Sequence, residues 1–184
     1  MKYLCKFSMV AACISALSLT ACSSMGTHPM YSQTDLPGAV QVPAGHKVAM
    51  ETVGVGSITY ECRAKKDMAS AYEWVFVGPE AKLQTRQGDT IGKYWGPPAT
   101  WENNDGSKVT ATQVAIAPAG NGNIPLQLVK ANPASGMGAM QGVTYIQRVA
   151  TKGGVAPSME CGSANLGNKQ TVHYQADYIF WKAA

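Results

Sequence analysis

The residues best suited to chemistry lie in one stretch, 94–106, which combines two tryptophans with carboxylates and amides. Indole rings offer apolar faces on which a sugar ring can stack, and carboxylates and amides can hydrogen-bond to its hydroxyls. If the protein has a ligand site, we predict that it uses Trp95, Trp101, Glu102 and Asp105. The alternative is that both tryptophans cap the core while Asn104-Asp105-Gly106 forms a tight hairpin turn, because Asp-Gly is a strong turn signal.

Nothing in the sequence predicts a catalytic residue. Glu102 and Asp105 could form an acid–base pair, but two acids three positions apart at a turn are usually just solvated. A Ser-His-Asp triad assembled by folding stays an alternative, although the chain lacks a Gly-x-Ser-x-Gly motif. His46 and His173 have no partner at a metal-ligand spacing, and Gly54-Val55-Gly56 lacks the context of a nucleotide-binding loop. We therefore predict no metal and no cofactor, and we interpret these glycines as turns or bends.

The N-terminus resembles the processing site of a bacterial lipoprotein. Two lysines precede a short apolar stretch that ends in Leu19-Thr20-Ala21-Cys22, and this stretch is too short to span a bilayer stably. The resemblance implies cleavage before Cys22, a diacylglyceryl group on its thiol and an acyl chain such as palmitate on its new amino group. Two or more acyl chains anchor a protein stably. The alternative is an ordinary cleaved signal with Cys22 merely near the cut.

The residue after the lipidation site indicates in which membrane the protein is anchored. Ser23 stands where an aspartate would favour retention in the inner membrane. We therefore expect an outer-membrane lipoprotein, facing the periplasm or the cell surface, whose membrane contact is its N-terminal lipid.

Two cysteines remain for the folded domain. Cys5 and Cys13 leave with the signal and Cys22 carries lipid, so Cys62 and Cys161 are left. In an oxidising compartment they should form one disulfide. A thiol nucleophile or a metal pair is the alternative, and it requires a setting that lowers the thiol pKa.

Charge and length restrict the partners and the number of domains that the chain can have. The whole chain has a formal charge of +4, part of which comes from Lys2 and Lys6 in the signal, and its other basic residues are scattered. No electrostatic case for a nucleic-acid partner follows. We divide the chain into a signal peptide (1–21), a flexible tether (22–41) and one domain (42–184).

The elements that must position these residues are strands. Period-two alternation marks the runs 58–63, 72–76, 81–84, 90–95, 108–116, 126–131, 143–150 and 172–181. We expect Gly78-Pro79 to end the second run and Gln87-Gly88-Asp89 to turn a hairpin. No window after the signal has convincing helical periodicity. The prediction is a single all-β domain, either an antiparallel β-sandwich or a partly closed β-barrel.

An ordered set of motifs covers the chain from Leu36 onwards. It includes Val42-Pro43-Ala44-Gly45-His46, Tyr60-Glu61-Cys62, the run from Trp74 to Ala81, the run from Thr144 to Val149, Cys161, and Tyr174-Gln175-Ala176-Asp177-Tyr178. In this set the chain resembles the exported DUF3455 family, whose function is unknown. The resemblance implies an exported all-β protein and supplies no catalytic residue.

Three classes of function stay open. A lipid-anchored envelope protein with a non-catalytic interaction or structural role needs only a stable domain and an anchor, and it is the leading hypothesis. Its partner could be an envelope protein or a glycan. A ligand-binding module, for a glycan or an apolar small molecule, needs a concave aromatic site. A periplasmic hydrolase needs a histidine within reach of an acid or a serine.

Overall fold

Alternation of inward and outward side chains builds eight strands. The computed structural model describes residues 31–68 and 70–184. The strands are β1 (His46–Ala64), β2 (Tyr72–Gln84), β3 (Thr90–Trp95), β4 (Thr100–Asn103), β5 (Lys108–Ala117), β6 (Leu126–Ala131), β7 (Val143–Gly153) and β8 (Lys169–Ala183). Two short 3-10 turns, Gly38–Val40 and Ser163–Asn165, are the helical elements of the described residues.

Each strand pairs antiparallel with the next one along the chain, and β8 pairs with β1 to close the ring. The predicted all-β single domain is therefore confirmed. Of the two architectures that the sequence left open, the structure has the barrel, and closure by β1 and β8 is complete rather than partial.

Large side chains fill the barrel interior. On β8, Tyr174, Ala176, Tyr178 and Phe180 are buried and face inward, as their alternation predicts. An eight-stranded barrel encloses just enough space for such side chains. Gly54 lies within β1 rather than in a turn or bend. A Cβ at this position would clash with the Tyr178 ring, which explains the glycine.

The N-terminal segment covers the outside of the barrel and forms a second core. Val40 is fully buried, and the side chain of Gln147 on β7 donates a hydrogen bond of 2.7 Å to its carbonyl oxygen. The apolar residues of this outer core are Val40, Val42, Ala117, Leu128, Val149, Ile179 and Trp181. Residues 31–41 thus pack against the barrel, within the segment (22–41) for which the sequence predicted a flexible tether. The reason is that one buried valine and a few side-chain hydrogen bonds hold a segment too short to show periodicity.

Strand β2 continues through Gly78-Pro79, where the sequence predicted a stop. The β1–β2 register shifts at Thr59 and Tyr60, so that Val77 is the extra residue of a bulge beside the proline. Pro79 itself pairs with Ile58, and the β2–β3 pairing begins only at Glu80, so the proline lies where β2 has one paired neighbour and a missing backbone N–H is tolerated.

The predicted disulfide is confirmed. Cys62, near the end of β1, is bonded to Cys161 in the β7–β8 connection, with 5.5 Å between the Cα atoms. The same connection is held by backbone hydrogen bonds from Cys62 N–H to Asn168 and from Gly167 N–H to Cys62. The disulfide thus ties the long β7–β8 connection to the end of the barrel.

Candidate functional site

Trp95 and Trp101 lie on opposite faces of the sheet. In the β3–β4 register Tyr94 pairs with Trp101, and Trp95 pairs with Thr100. Because side chains alternate along a strand, the first pair points into the barrel and Trp95 points outward. The two rings therefore do not form the common surface that the sequence predicted.

Trp101 is a core residue. It is 1% exposed, its ring stacks on Tyr94 at a centroid distance of 4.6 Å, and it meets the ring of Tyr178 edge-on at 5.8 Å. Its Nε1 atom has no hydrogen-bond partner among the described residues. A ligand outside the barrel cannot stack on this ring, so for Trp101 the structure agrees with the core alternative.

Asp105 lies in the β4–β5 turn and holds a neighbouring loop. Its carboxylate accepts hydrogen bonds from the hydroxyl and the backbone N–H of Ser107 and from the backbone N–H of Ala139, the last at 2.7 Å. The Ser107 hydroxyl and these N–H groups lower the pKa of Asp105 by favouring its charged form. Asp105 therefore positions the connection between β6 and β7 and lies apart from Trp95.

That connection, residues 132–142, contains two methionines with different environments. Met140 is fully buried in the barrel core, whereas Met137 is 79% exposed. The loop thus folds one methionine back onto the sheet and leaves the other in solvent.

Glu102 points outward and lies between two lysines. Its carboxylate is 3.7 Å from the ammonium of Lys93 and 3.8 Å from that of Lys108. The Lys93 ammonium also lies over the Trp95 ring, 4.9 Å from its centroid. Of the four predicted site residues, the structure thus places Trp95 and Glu102 on one face, where Lys93 connects them.

A groove of about 550 Å³ runs across the outer face of β1, β2 and β3, and Trp95 lies at its β3 side. The strand register explains which side chains meet there. One row of paired residues carries Ser57, Glu80 and Trp95, and the adjacent row carries Val55, Lys82 and Lys93. The groove thus combines an indole ring, an apolar side chain and several hydrogen-bonding groups.

The outer face around the groove is mixed in charge. Lys82, Lys93 and Lys108 lie in one row of paired positions, with Glu102 between the last two, and Glu80 lies in the next row. No ion pair among the described residues includes Lys82 or Glu80. These two groups are therefore available to a polar ligand.

The polar contacts of the histidines and of Asp177 bear on the hydrolase hypothesis. His46 contacts the backbone oxygen of Pro43 through Nδ1 at 3.0 Å, and neither His46 nor His173 hydrogen-bonds to a carboxylate or a serine within the described part of the chain. The Asp177 carboxylate is 3.0 Å from the guanidinium of Arg86, which is also 3.0 Å from Glu51. Over residues 31–68 and 70–184, no three His, Cys, Asp or Glu side chains are placed to share a metal ion.

Sequence reasoning missed most of the groove. Val55, Ser57 and Lys82 come from two strands that are distant in sequence from Trp95, and only the strand register brings them together. Their one signal in the sequence is their outward position in alternating strands, which they share with every solvated residue of the sheet.

Cys22 and the apolar stretch before it lie outside the described residues. Within the described part, no helix has the length and hydrophobicity needed to cross a bilayer. Lipidation of Cys22 stays a prediction from the sequence.

The fold and its outer face define a class: a closed, disulfide-linked antiparallel β-barrel with a packed interior and a groove on its outside. The chain belongs to the DUF3455 family of proteins of unknown function, whose sequence profile matches residues 43–182. Neither the curated proteins nor the solved structures contain a match to the chain.

Proposed function

We propose that this protein is a lipid-anchored protein of the cell envelope that acts by binding rather than by catalysis, and that the outer groove is its binding surface. The observation that carries the proposal is the groove of about 550 Å³ beside Trp95. Its volume falls within the roughly 300–1,000 Å³ of known small-molecule sites. The anchor rests on the sequence around Cys22 and on no feature of the barrel.

The chemistry of the groove favours a glycan as the ligand. Trp95 supplies a flat apolar face for a sugar ring, while Ser57, Glu80 and Lys82 supply a hydroxyl, an acceptor and a donor for sugar hydroxyls. Lys93 now lies over the indole ring, and a stacking sugar would displace it or use the opposite face. An exposed cation–π contact contributes about 0.5–1 kcal/mol, which is small beside the roughly 1–3 kcal/mol of a good aromatic stacking contact.

Binding to an array of bacterial envelope glycans, followed by calorimetry on each hit, tests this proposal. We expect Trp95→Ala to weaken binding about 10- to 100-fold, the equivalent of about 1–3 kcal/mol. Trp95→Phe should retain much of the affinity. Val114→Ala is the matched control, because Val114 is an exposed apolar residue on β5, outside the groove.

Two results would contradict the proposal. One is the absence of any glycan ligand on the array. The other is a ligand whose affinity is unchanged in Trp95→Ala, since such a ligand binds elsewhere on the protein.

The anchor is tested separately. Intact-mass measurement of the exported protein should show a chain that begins at Cys22 and carries acyl groups, and Cys22→Ser should abolish both processing and lipid labelling. A normally cleaved chain with an unmodified Cys22 would rule out the lipoprotein assignment and leave the groove proposal standing.

A further inference from the structure

One end of the barrel opens into a small cavity lined by one arginine, three tyrosines and four apolar residues. This is the end formed by the β1–β2, β3–β4, β5–β6 and β7–β8 connections. The cavity has a volume of about 20 Å³, and we call it the barrel mouth; its lining residues are Ile58, Phe76, Pro79, Tyr94, Ile124, Arg148, Tyr174 and Tyr178. The mouth is separate from the outer groove, although Tyr94 lies between them.

Arg148 is the charged residue of this lining. It lies on β7, two positions after the inward-facing Ile146, and pairs with Tyr178 on β8. Its Nε and Nη2 groups donate hydrogen bonds of 3.2 and 2.9 Å to the carbonyl oxygen of Pro125. Within the described part of the chain, no ion pair includes Arg148. A guanidinium with five N–H donors thus contacts one neutral acceptor and no anion.

Three tyrosines line the mouth together with this cation. The hydroxyls of Tyr174 and Tyr178 are 3.1 Å apart, and the ring of Tyr94 lies 5.0 Å from that of Tyr178. Burial raises the pKa of all three phenols, and the positive charge of Arg148 acts in the opposite direction without cancelling this effect. The phenols therefore remain protonated at neutral pH and can donate hydrogen bonds. The mouth offers donors and a positive charge in an apolar setting.

The outer part of the mouth is apolar. Phe76 is 52% exposed although it is on the inward-facing side of β2, where its ring meets that of Tyr60 edge-on at 6.1 Å. Pro79 and Ile58, which are both buried, also line the cavity, so the exposed apolar surface of the rim is the Phe76 ring. A ligand that places a charged group on Arg148 would therefore lay its next atoms against apolar surface.

We propose that the barrel mouth binds the carboxylate end of an apolar monocarboxylic acid. A guanidinium that is partly withdrawn from water gains most from an anionic acceptor, and a carboxylate matches its planar N–H groups. A cavity of about 20 Å³ has room for one group about the size of a water molecule. One carboxylate oxygen therefore enters, and the hydrocarbon lies against the exposed ring of Phe76 at the rim. This site is independent of the groove and of the proposed glycan ligand.

Titration of the full-length protein with octanoate tests the proposal. Calorimetry should detect binding of octanoate, whereas octanol and inorganic phosphate should each bind at least about tenfold more weakly, because one lacks the charge and the other lacks the apolar body. Arg148→Gln should weaken octanoate binding at least about tenfold, and Arg148→Lys should retain part of it. Lys152→Gln removes an exposed charge from the same strand and should leave binding unchanged. Trp95→Ala should also have no effect, which separates this site from the groove.

Several outcomes would overturn the proposal: no binding of octanoate, equal binding of octanol or phosphate, or an Arg148→Gln variant with wild-type affinity. If Arg148→Gln fails to fold, the wild-type protein still decides the matter by NMR. The Nε–Hε signal of Arg148 should shift during the octanoate titration, and an unmoved signal would refute a contact with the carboxylate.

Discussion

Trp101 gives the most direct test of the barrel core. Its burial predicts a large loss of stability in Trp101→Ala, whereas its unpartnered N–H predicts a much smaller change in Trp101→Phe. Trp101→Ala removes a ring that is 1% exposed and packs on Tyr94 and Tyr178. Such a truncation costs about 3–5 kcal/mol of unfolding free energy. For a domain of this size, that loss corresponds to a decrease in Tm of roughly 6–20 °C, at about 2–4 °C per kcal/mol.

Trp101→Phe should behave differently. The smaller ring loses about two buried carbon groups, at about 0.8 kcal/mol each. It also removes the Nε1–H, which has no hydrogen-bond partner among the described residues and costs about 1–3 kcal/mol while it stays buried. The two effects oppose each other, so we expect Trp101→Phe to lie within about 1 kcal/mol of the wild-type protein.

Urea denaturation under non-reducing conditions, followed by circular dichroism, measures these differences. Trp95→Ala is the matched control, because it truncates the same residue type on the outer face and should change the unfolding free energy much less than Trp101→Ala. A Trp101→Ala variant as stable as Trp95→Ala would refute the core assignment. A Trp101→Phe variant as unstable as Trp101→Ala would show instead that the Nε1–H makes a stabilising bond.

Three further changes test other parts of the fold. Replacing Cys62 and Cys161 together with serine should lower the unfolding free energy by about 2–5 kcal/mol, since the disulfide closes a loop of 99 positions, and a denaturation curve equal to that of the oxidised wild type would contradict this. Val40→Ala should lower the unfolding free energy by about 1–2 kcal/mol, because it removes two buried methyl groups. Ala39→Ser, at an exposed position, should change it little. Equal stability of the two variants would mean that residues 31–41 are not packed. Asp105→Asn should destabilise the protein at pH 7. Because folding lowers the pKa of Asp105, its charge stabilises the folded state above about pH 4. This stabilisation is lost as the pH falls through the folded-state pKa. A difference between wild type and Asp105→Asn that stays constant from pH 7 to pH 3 would contradict that linkage.

The parts of the fold that the sequence predicted are those set by local patterns. The inward face of the last strand is visible in the sequence, because Tyr174, Ala176 and Tyr178 alternate with the polar residues His173, Gln175 and Asp177. The turns at Gln87-Gly88-Asp89 and Asn104-Asp105-Gly106 carry glycines with φ of +97° and +86°, a conformation that glycine adopts without strain. Local chemistry alone determines these features.

The parts that the sequence did not predict depend on contacts between distant residues. Period-two alternation is the same in a sandwich and in a barrel, and only the pairing of β1 with β8 distinguishes them. Burial of Val40 depends on the outer faces of β5, β6, β7 and β8, which no local pattern reveals. Trp95 and Trp101 looked like one surface because they are close in sequence, but the β3–β4 turn places them on opposite faces.

Arg148 shows the same limit at the proposed mouth site. In sequence it is one more charged residue in an amphipathic strand, and such residues are mostly solvated. In the barrel it shares the inward face with Ile146, near the end where Phe76 is exposed. Its position relative to Tyr174 and Tyr178 follows from the β7–β8 register, so only the three-dimensional structure distinguishes it from a surface arginine.

The packed interior restricts where this protein can bind anything. Barrels that carry a ligand inside need an unfilled lumen. Here the packed rings of Tyr94, Trp101 and Tyr178 occupy it together with Phe180 and Met140. The cavity at the mouth is about 20 Å³, against about 550 Å³ for the outer groove. The groove therefore has room for a ligand the size of a sugar ring, whereas the mouth accepts only the end of a narrow ligand such as a hydrocarbon chain. Truncation of Trp101 would enlarge the interior at a cost of about 3–5 kcal/mol in stability, so space for a larger ligand inside the barrel could be made only by weakening the core.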